Sequence, residues 1–164
     1  MKRYLLAICI VVLLPALAMG QDPDRTKAGR GYGFFSPGIA FGGGSSMGFL
    51  HFGGGGEVGL YQGLGLGAEL GYLAPWRYMN EGVGMLSING LYRFEKPGAK
   101  VAPFITGGYS LLFRSGHLNA INFGGGGDYW FVDRAAIRLE IRDHVSPKYF
   151  SDHLIQGRFG FVFR

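Results

Sequence analysis

Along most of this chain, apolar and polar positions alternate one for one. From His153 to Arg164, Ile155, Gly157, Phe159, Phe161 and Phe163 share one face, while Gln156, Arg158, Gly160 and Val162 share the other. A period of two marks a β-strand whose faces meet different surroundings. In the same way Leu64, Leu66, Ala68, Leu70 and Tyr72 oppose Gly65, Gly67, Glu69 and Gly71. Leu86, Ile88, Tyr92 and Phe94 oppose Ser87, Asn89 and Arg93, and Ile137, Leu139 and Ile141 oppose Arg138, Glu140 and Arg142. The pattern predicts eight strands: Tyr32 to Gly42, Gly48 to Leu60, Leu64 to Leu73, Gly82 to Phe94, Val101 to Phe113, Ala120 to Phe131, Ala135 to Val145 and His153 to Arg164. No segment carries a helical period.

Strands of roughly ten residues with one bulky apolar face have the length and pattern needed to cross a bilayer at a tilt. Connections after even-numbered strands are tight (Tyr61-Gln62-Gly63, Glu95 to Lys100, Val132-Asp133-Arg134), and those after odd-numbered strands are on average longer. With both termini in the periplasm, the tight turns face inward and the longer loops face out. Tyr61, Tyr92, Phe94, Tyr129, Phe131, Phe161 and Phe163 would form an inner aromatic girdle, and Tyr72, Trp76, Tyr78, Phe113, Tyr149 and Phe150 an outer one. The fold expected is all-β, an eight-stranded antiparallel up-and-down transmembrane β-barrel. The rival is a soluble lipocalin-like barrel with its apolar faces turned inward. It would crowd large aromatics into a small lumen and show water a glycine-rich face with few lysines.

The amino terminus reads as a cleavable signal peptide over residues 1–20. Lys2 and Arg3 form its basic start, Tyr4 to Leu17 its apolar core, and Ala18-Met19-Gly20 its small-residue cleavage site. A short periplasmic leader, residues 21–30, precedes the barrel domain, residues 31–164. The only cysteine, Cys9, lies within the signal, so disulfides, thiolate chemistry and cysteine metal sites are not expected in the mature chain. Lys2 and Arg3 account for two of the net +5 charges, and no basic stripe interleaved with aromatics suggests nucleic acid. His51, His117, His144 and His153 are scattered without metal-ligand spacing, and Gly63-Leu-Gly65-Leu-Gly67 has no helix after it to receive a phosphate. No cofactor is expected.

The inward face carries its own charge pattern. Glu57, Glu69, Asp128 and Glu140 are matched there by Arg93, Arg138, Arg142 and Arg158. An eight-stranded barrel is only wide enough inside for side chains to fill, and buried charges survive there only if paired. These eight residues are therefore the candidate lumen ion-pair network. The inward glycines Gly53, Gly55, Gly65, Gly67, Gly124 and Gly126 would make room for the arginines. The alternative use of the same charges is a narrow gated pore. Phe52-Gly-Gly-Gly-Gly-Glu57 is echoed by Phe123-Gly-Gly-Gly-Gly-Asp128, with Glu69 and Glu140 twelve residues beyond each acid, which suggests two similar halves of four strands.

The stretches Pro103-Phe-Ile-Thr-Gly-Gly-Tyr109, Phe123 to Tyr129, Ala136 to Asp143 and Gly160-Phe-Val-Phe163 resemble the OmpA/opacity-type outer-membrane β-barrel proteins over nearly the whole mature sequence. The resemblance implies a monomeric, non-enzymatic protein of the Gram-negative outer membrane with a structural or adhesion-like role. Its partners would be membrane lipid and lipopolysaccharide, and the barrel-assembly machinery would read its last strand. That strand has Phe163 in the penultimate position and Arg164 last. His144-Val-Ser146 also resembles the His-x-Ser of the lipid A deacylase family, which makes His144, Ser146 and Asp152 an alternative catalytic set. Pro147 stands where that family has asparagine, and no glutamate follows.

Overall fold

The computed structural model describes residues 29–94, 98–146 and 152–164; the expected signal segment and leader residues 21–28 lie outside these, as do residues 95–97 and 147–151. Eight antiparallel strands close into a barrel in chain order. They are β1 (Arg30–Gly42), β2 (Ser45–Tyr61), β3 (Leu64–Pro75), β4 (Val83–Arg93), β5 (Val101–Phe113), β6 (His117–Val132), β7 (Ala135–Val145) and β8 (His153–Phe163). Closure leaves no strand edge unpaired, which is the condition for a sheet to sit in hydrocarbon.

Three strands start earlier than the alternation predicts. β1 takes in Arg30, β2 begins at Ser45, and β6 begins at His117. In each case the backbone ladder continues where small or polar side chains no longer alternate. The first hairpin is therefore as tight as any in the barrel. Gly43 and Gly44 alone connect β1 to β2, both at positive φ (56° and 80°), the backbone region that tight hairpin turns need and glycine enters without strain. Longer outward loops are thus a property of the β3–β4 and β7–β8 connections, not of every odd-numbered strand, and the β4–β5 connection, expected to be tight, spans as many residues (94–100) as either of them. The β3–β4 connection is held by Tyr72, whose hydroxyl donates to Met79 O at 2.8 Å and accepts from Gly82 N at 3.0 Å.

The register fixes the tilt. Stepping across partners from Arg30 leads to Glu57, Gly67, Asn89, Gly108, Asn122, His144 and Leu154, and returns to β1 at Ala40. One circuit thus climbs ten residues along β1, the stagger that links strand tilt to barrel width. The residues on this circuit share the inward-facing parity and rise from the end that carries the termini toward the loop end, so side chains that meet across the lumen at one level come from different steps of the register.

The exterior is apolar. Leu66, Leu70, Ile88, Ile105, Leu139, Ile141 and Phe159 are all exposed, and both aromatic girdles project outward where they are described. The interior holds the charges, yet it is less polar throughout than the sequence pattern implies. Tyr32, Phe34, Ala102, Trp130, Ala136 and Val162 cluster inside the end that carries the chain termini. Met85, Leu112 and Ala120, with Leu73 and Val83, close the loop end. Charged groups therefore occupy the middle of the lumen between two apolar plugs.

The inward glycines do more than leave room for arginines. A Cβ on Gly55 would lie 2.8 Å from Glu69 Cβ, one on Gly126 would lie 2.8 Å from Glu140 Cα, and one on Gly124 would lie 3.1 Å from Arg142 Cα. They let β2 approach β3, and β6 approach β7, at the positions that carry the ion pairs.

Candidate functional site

The lumen charges fall into two quartets. In the first, Glu57 on β2, Arg93 on β4, Asp128 on β6 and Arg138 on β7 meet across the barrel. Arg138 donates from Nε to Asp128 Oδ1 at 2.7 Å and from Nη2 to Glu57 Oε1 at 2.9 Å. Arg93 donates from Nη1 to Asp128 Oδ2 at 2.6 Å and pairs through Nη2 with Glu57. In the second quartet, Arg142 reaches Glu69 at 2.7 Å and Glu140 at 2.6 Å, while Arg158 reaches the same two carboxylates at 3.0 and 3.3 Å. All eight side chains are buried. Each quartet holds two acids and two bases, so each is formally neutral.

Only two of these contacts follow from adjacent register: Asp128 lies opposite Arg138, and Glu140 lies opposite Arg158. Arg142 and Glu140 stand two residues apart on one face of β7, and the remaining contacts span the lumen and depend on the ten-residue stagger. The sequence echo recurs in space. Glu57 and Asp128 share the first quartet, and Glu69 and Glu140 share the second. The arginines of β7 do not repeat with them, because positions 71 residues from Arg138 and Arg142 hold Gly67 and Gly71.

Aromatic rings knit the quartets together. Tyr32 donates its hydroxyl to Glu69 Oε2 at 2.9 Å, while the Arg138 guanidinium lies 4.8 Å from its ring centre. Arg138 also lies 4.7 Å from the Phe104 ring, and Arg158 lies 3.8 Å from the Phe34 ring. Such contacts suit guanidinium, which stacks flat on a π-face while its edge donates hydrogen bonds. Arg30, assigned by its charge to the leader, is buried instead, 3.9 Å from Asp128 and 5.3 Å from the Trp130 ring. Even-numbered parity on β1 was the signal that places Arg30, Tyr32 and Phe34 inside.

Toward the loop end lies an uncharged polar layer. Ser87 and Ser110 hydroxyls meet at 2.7 Å, and Asn122 donates to Ser110 at 2.9 Å. On the other side, His51 Nδ1 lies 3.1 Å from Gln156 Oε1, and Gln156 Nε2 lies 3.5 Å from His144 Nδ1. The void beside Tyr32, Glu57, Asn89, Phe104, Arg138 and Arg142 is about 10 Å³, room for about one water.

The alternative catalytic residues are arranged differently. His144 and Ser146 both point inward and are buried. His144 turns its Nδ1 to Gln156, and among the described residues no hydrogen bond joins it to Ser146 or Asp152. Asp152 meets Ser146 only through the backbone, where Ser146 N donates to Asp152 O at 3.2 Å. Asp143, which is not part of that set, accepts at Oδ2 from His153 Nδ1 at 2.8 Å on the outer face.

No protein-family model matches this sequence. No curated protein sequence matches it either. Solved structures do. The chain is similar to Neisserial surface protein A (TM-score 0.68, 10% identity), covering 82% of this chain and 96% of that one. It is similar to the N-terminal β-barrel domain of Pseudomonas aeruginosa OprF (TM-score 0.63, 16% identity), again over 82% and 96%. It is also similar to Ail, the attachment invasion locus protein of Yersinia pestis, solved with the heparin analogue sucrose octasulfate (TM-score 0.55, 7% identity), over 82% and 97%. At these identities the likeness is one of architecture. The fold of this chain is that of the eight-stranded outer-membrane β-barrels.

Proposed function

We propose that this chain is an integral protein of the Gram-negative outer membrane, exported by a cleaved N-terminal signal peptide, with a structural or adhesion-like role and no catalytic activity. The observation that carries this reading is the inverted distribution of side chains: aliphatic and aromatic groups cover the wall, and arginine–carboxylate pairs fill the centre. Such a surface suits hydrocarbon, where a soluble protein would need charge. The barrel works as a monomer in contact with membrane lipid and lipopolysaccharide, and the assembly machinery reads β8. The filled lumen and its apolar plugs support a closed wall in preference to a pore. The hydrogen bonding of His144 to Gln156 supports a polar lumen layer in preference to ester hydrolysis.

The surface-interaction half of the reading draws on the fold shared with Ail, an attachment invasion locus protein. Recovery in the outer-membrane fraction with heat-modifiable gel migration is the expected result. A folded mature chain that stays in plain buffer without detergent overturns the reading. Cells displaying the barrel should be retained on matrix-coated surfaces above the empty-vector level, and equal retention removes the adhesive role. Lipid A should keep the same acylation pattern in Ser146→Ala cells as in the parent.

A further inference from the structure

Proline interrupts one ladder of the barrel. Along the β1–β8 seam the pairing passes from Phe35–Phe159 to Gly38–Gln156, with no partners at Ser36 and Pro37. Pro37 has no N–H to give. The Ser36 hydroxyl lies 3.0 Å from both the Gly157 carbonyl oxygen and Gln156 Oε1, and its single hydrogen serves one of them at a time. On the outer face the gap opens into a groove of about 500 Å³ lined by Pro37, Ile39, Phe41, Trp76, Ile155 and Gly157, with Phe49 below. The lining is apolar throughout. Glycine keeps it open at position 157, where no neighbour lies within 4 Å of the place a Cβ would stand. Trp76 closes the loop side, anchored by a hydrogen bond from its backbone N to Gly48 O at 3.1 Å. The exposed Arg77 follows it in the chain.

A groove of this volume lies within the range of small-molecule sites. It is continuous with the apolar wall, so its occupant comes from what bathes that wall. We propose that the β1–β8 seam binds one acyl chain of a surrounding phospholipid, with Trp76 and Arg77 at headgroup level. An aromatic ring and a cation suit that depth. This inference rests on the membrane reading above.

The test uses the mature protein refolded into phosphatidylcholine vesicles, extracted in mild detergent and weighed by native mass spectrometry, with heat-modifiable migration recording folding and insertion separately. The parent should retain one phospholipid. Gly157→Phe, which fills the groove, should lose it. Gly127→Phe, on the outer face of β6 with no atom closer than 4.0 Å to its Cβ position, should keep it. Trp76→Ala, at an exposed position, should lower retention at least several-fold and decides the matter if Gly157→Phe does not fold. Equal retention in the parent, Gly157→Phe and Trp76→Ala overturns the proposal. So does retention of free fatty acid without phospholipid. An inserted parent that retains nothing sinks the groove alone, whereas a parent that never inserts sinks the membrane reading and the groove together.

Discussion

Replacing Arg138 by methionine tests whether the quartets hold the barrel together. Methionine keeps an apolar stem against Tyr32 and Phe104, so the change removes mainly charge and hydrogen bonds. Arg138 donates to both Glu57 and Asp128. Without it, two buried carboxylates share Arg93, with Arg30 at the margin. Removing one member of a buried ionic group costs about 3–5 kcal/mol, because its partners stay buried and unpaired. With a urea m-value of about 2 kcal/mol/M, the unfolding midpoint should fall by about 1.5–2.5 M. Adding Glu57→Gln removes the surplus carboxylate and leaves Asp128 with Arg93. The double variant should therefore be more stable than the sum of the two single losses predicts, by about 0.5–3 kcal/mol. Urea titration of detergent-refolded protein, followed by Trp fluorescence and by heat-modifiable migration, measures all three variants. A loss below about 1 kcal/mol for Arg138→Met, or strict additivity of the pair, refutes the reasoning.

Ile88→Arg places a cation on the exposed middle of β4 and should cost about 2–4 kcal/mol in a bilayer; a negligible change would mean that this face meets water. Gly126→Val should prevent folding, since its side chain would drive into the backbone of β7, whereas Gly127→Val next to it should change the urea midpoint little. Ser36→Ala removes the hydroxyl beside the Pro37 gap and leaves the Gly157 carbonyl short of a donor. It should cost about 1–2 kcal/mol, and amide exchange should accelerate around Gly157 ahead of the other seams.

The barrel was legible because strict alternation survives in β3, β4, β7 and β8, where each charged residue shows its face by parity alone. The same parity puts Glu57, Glu69, Asp128 and Glu140 inside with Arg93, Arg138, Arg142 and Arg158. Which carboxylate meets which guanidinium was not legible. That depends on the stagger around the whole ring, a quantity no single strand encodes. Arg30 escaped because charge next to a polar leader reads as leader, and its burial depends on a partner on β6. Tyr32, Phe34 and Trp130 show their side by parity alone, and glycines on both faces of β1 and β6 blur that contrast. The tight first hairpin was missed for a related reason: Ser45, Ser46 and Met47 alternate in nothing, and only backbone pairing with β1 makes them strand.

The plain chain-order topology has a kinetic consequence. Seven of the eight seams join strands that are neighbours in sequence, and only β1–β8 joins the two ends. Hairpins can zip one after another at small entropic expense, so contact order stays low until the final step. That step must bring Gly31 and Phe163 together across the length of the domain, at the ladder proline has thinned. Ring closure at this seam should set the folding rate, so substitutions near Pro37 should alter how fast the cylinder seals more than those in the other hairpins.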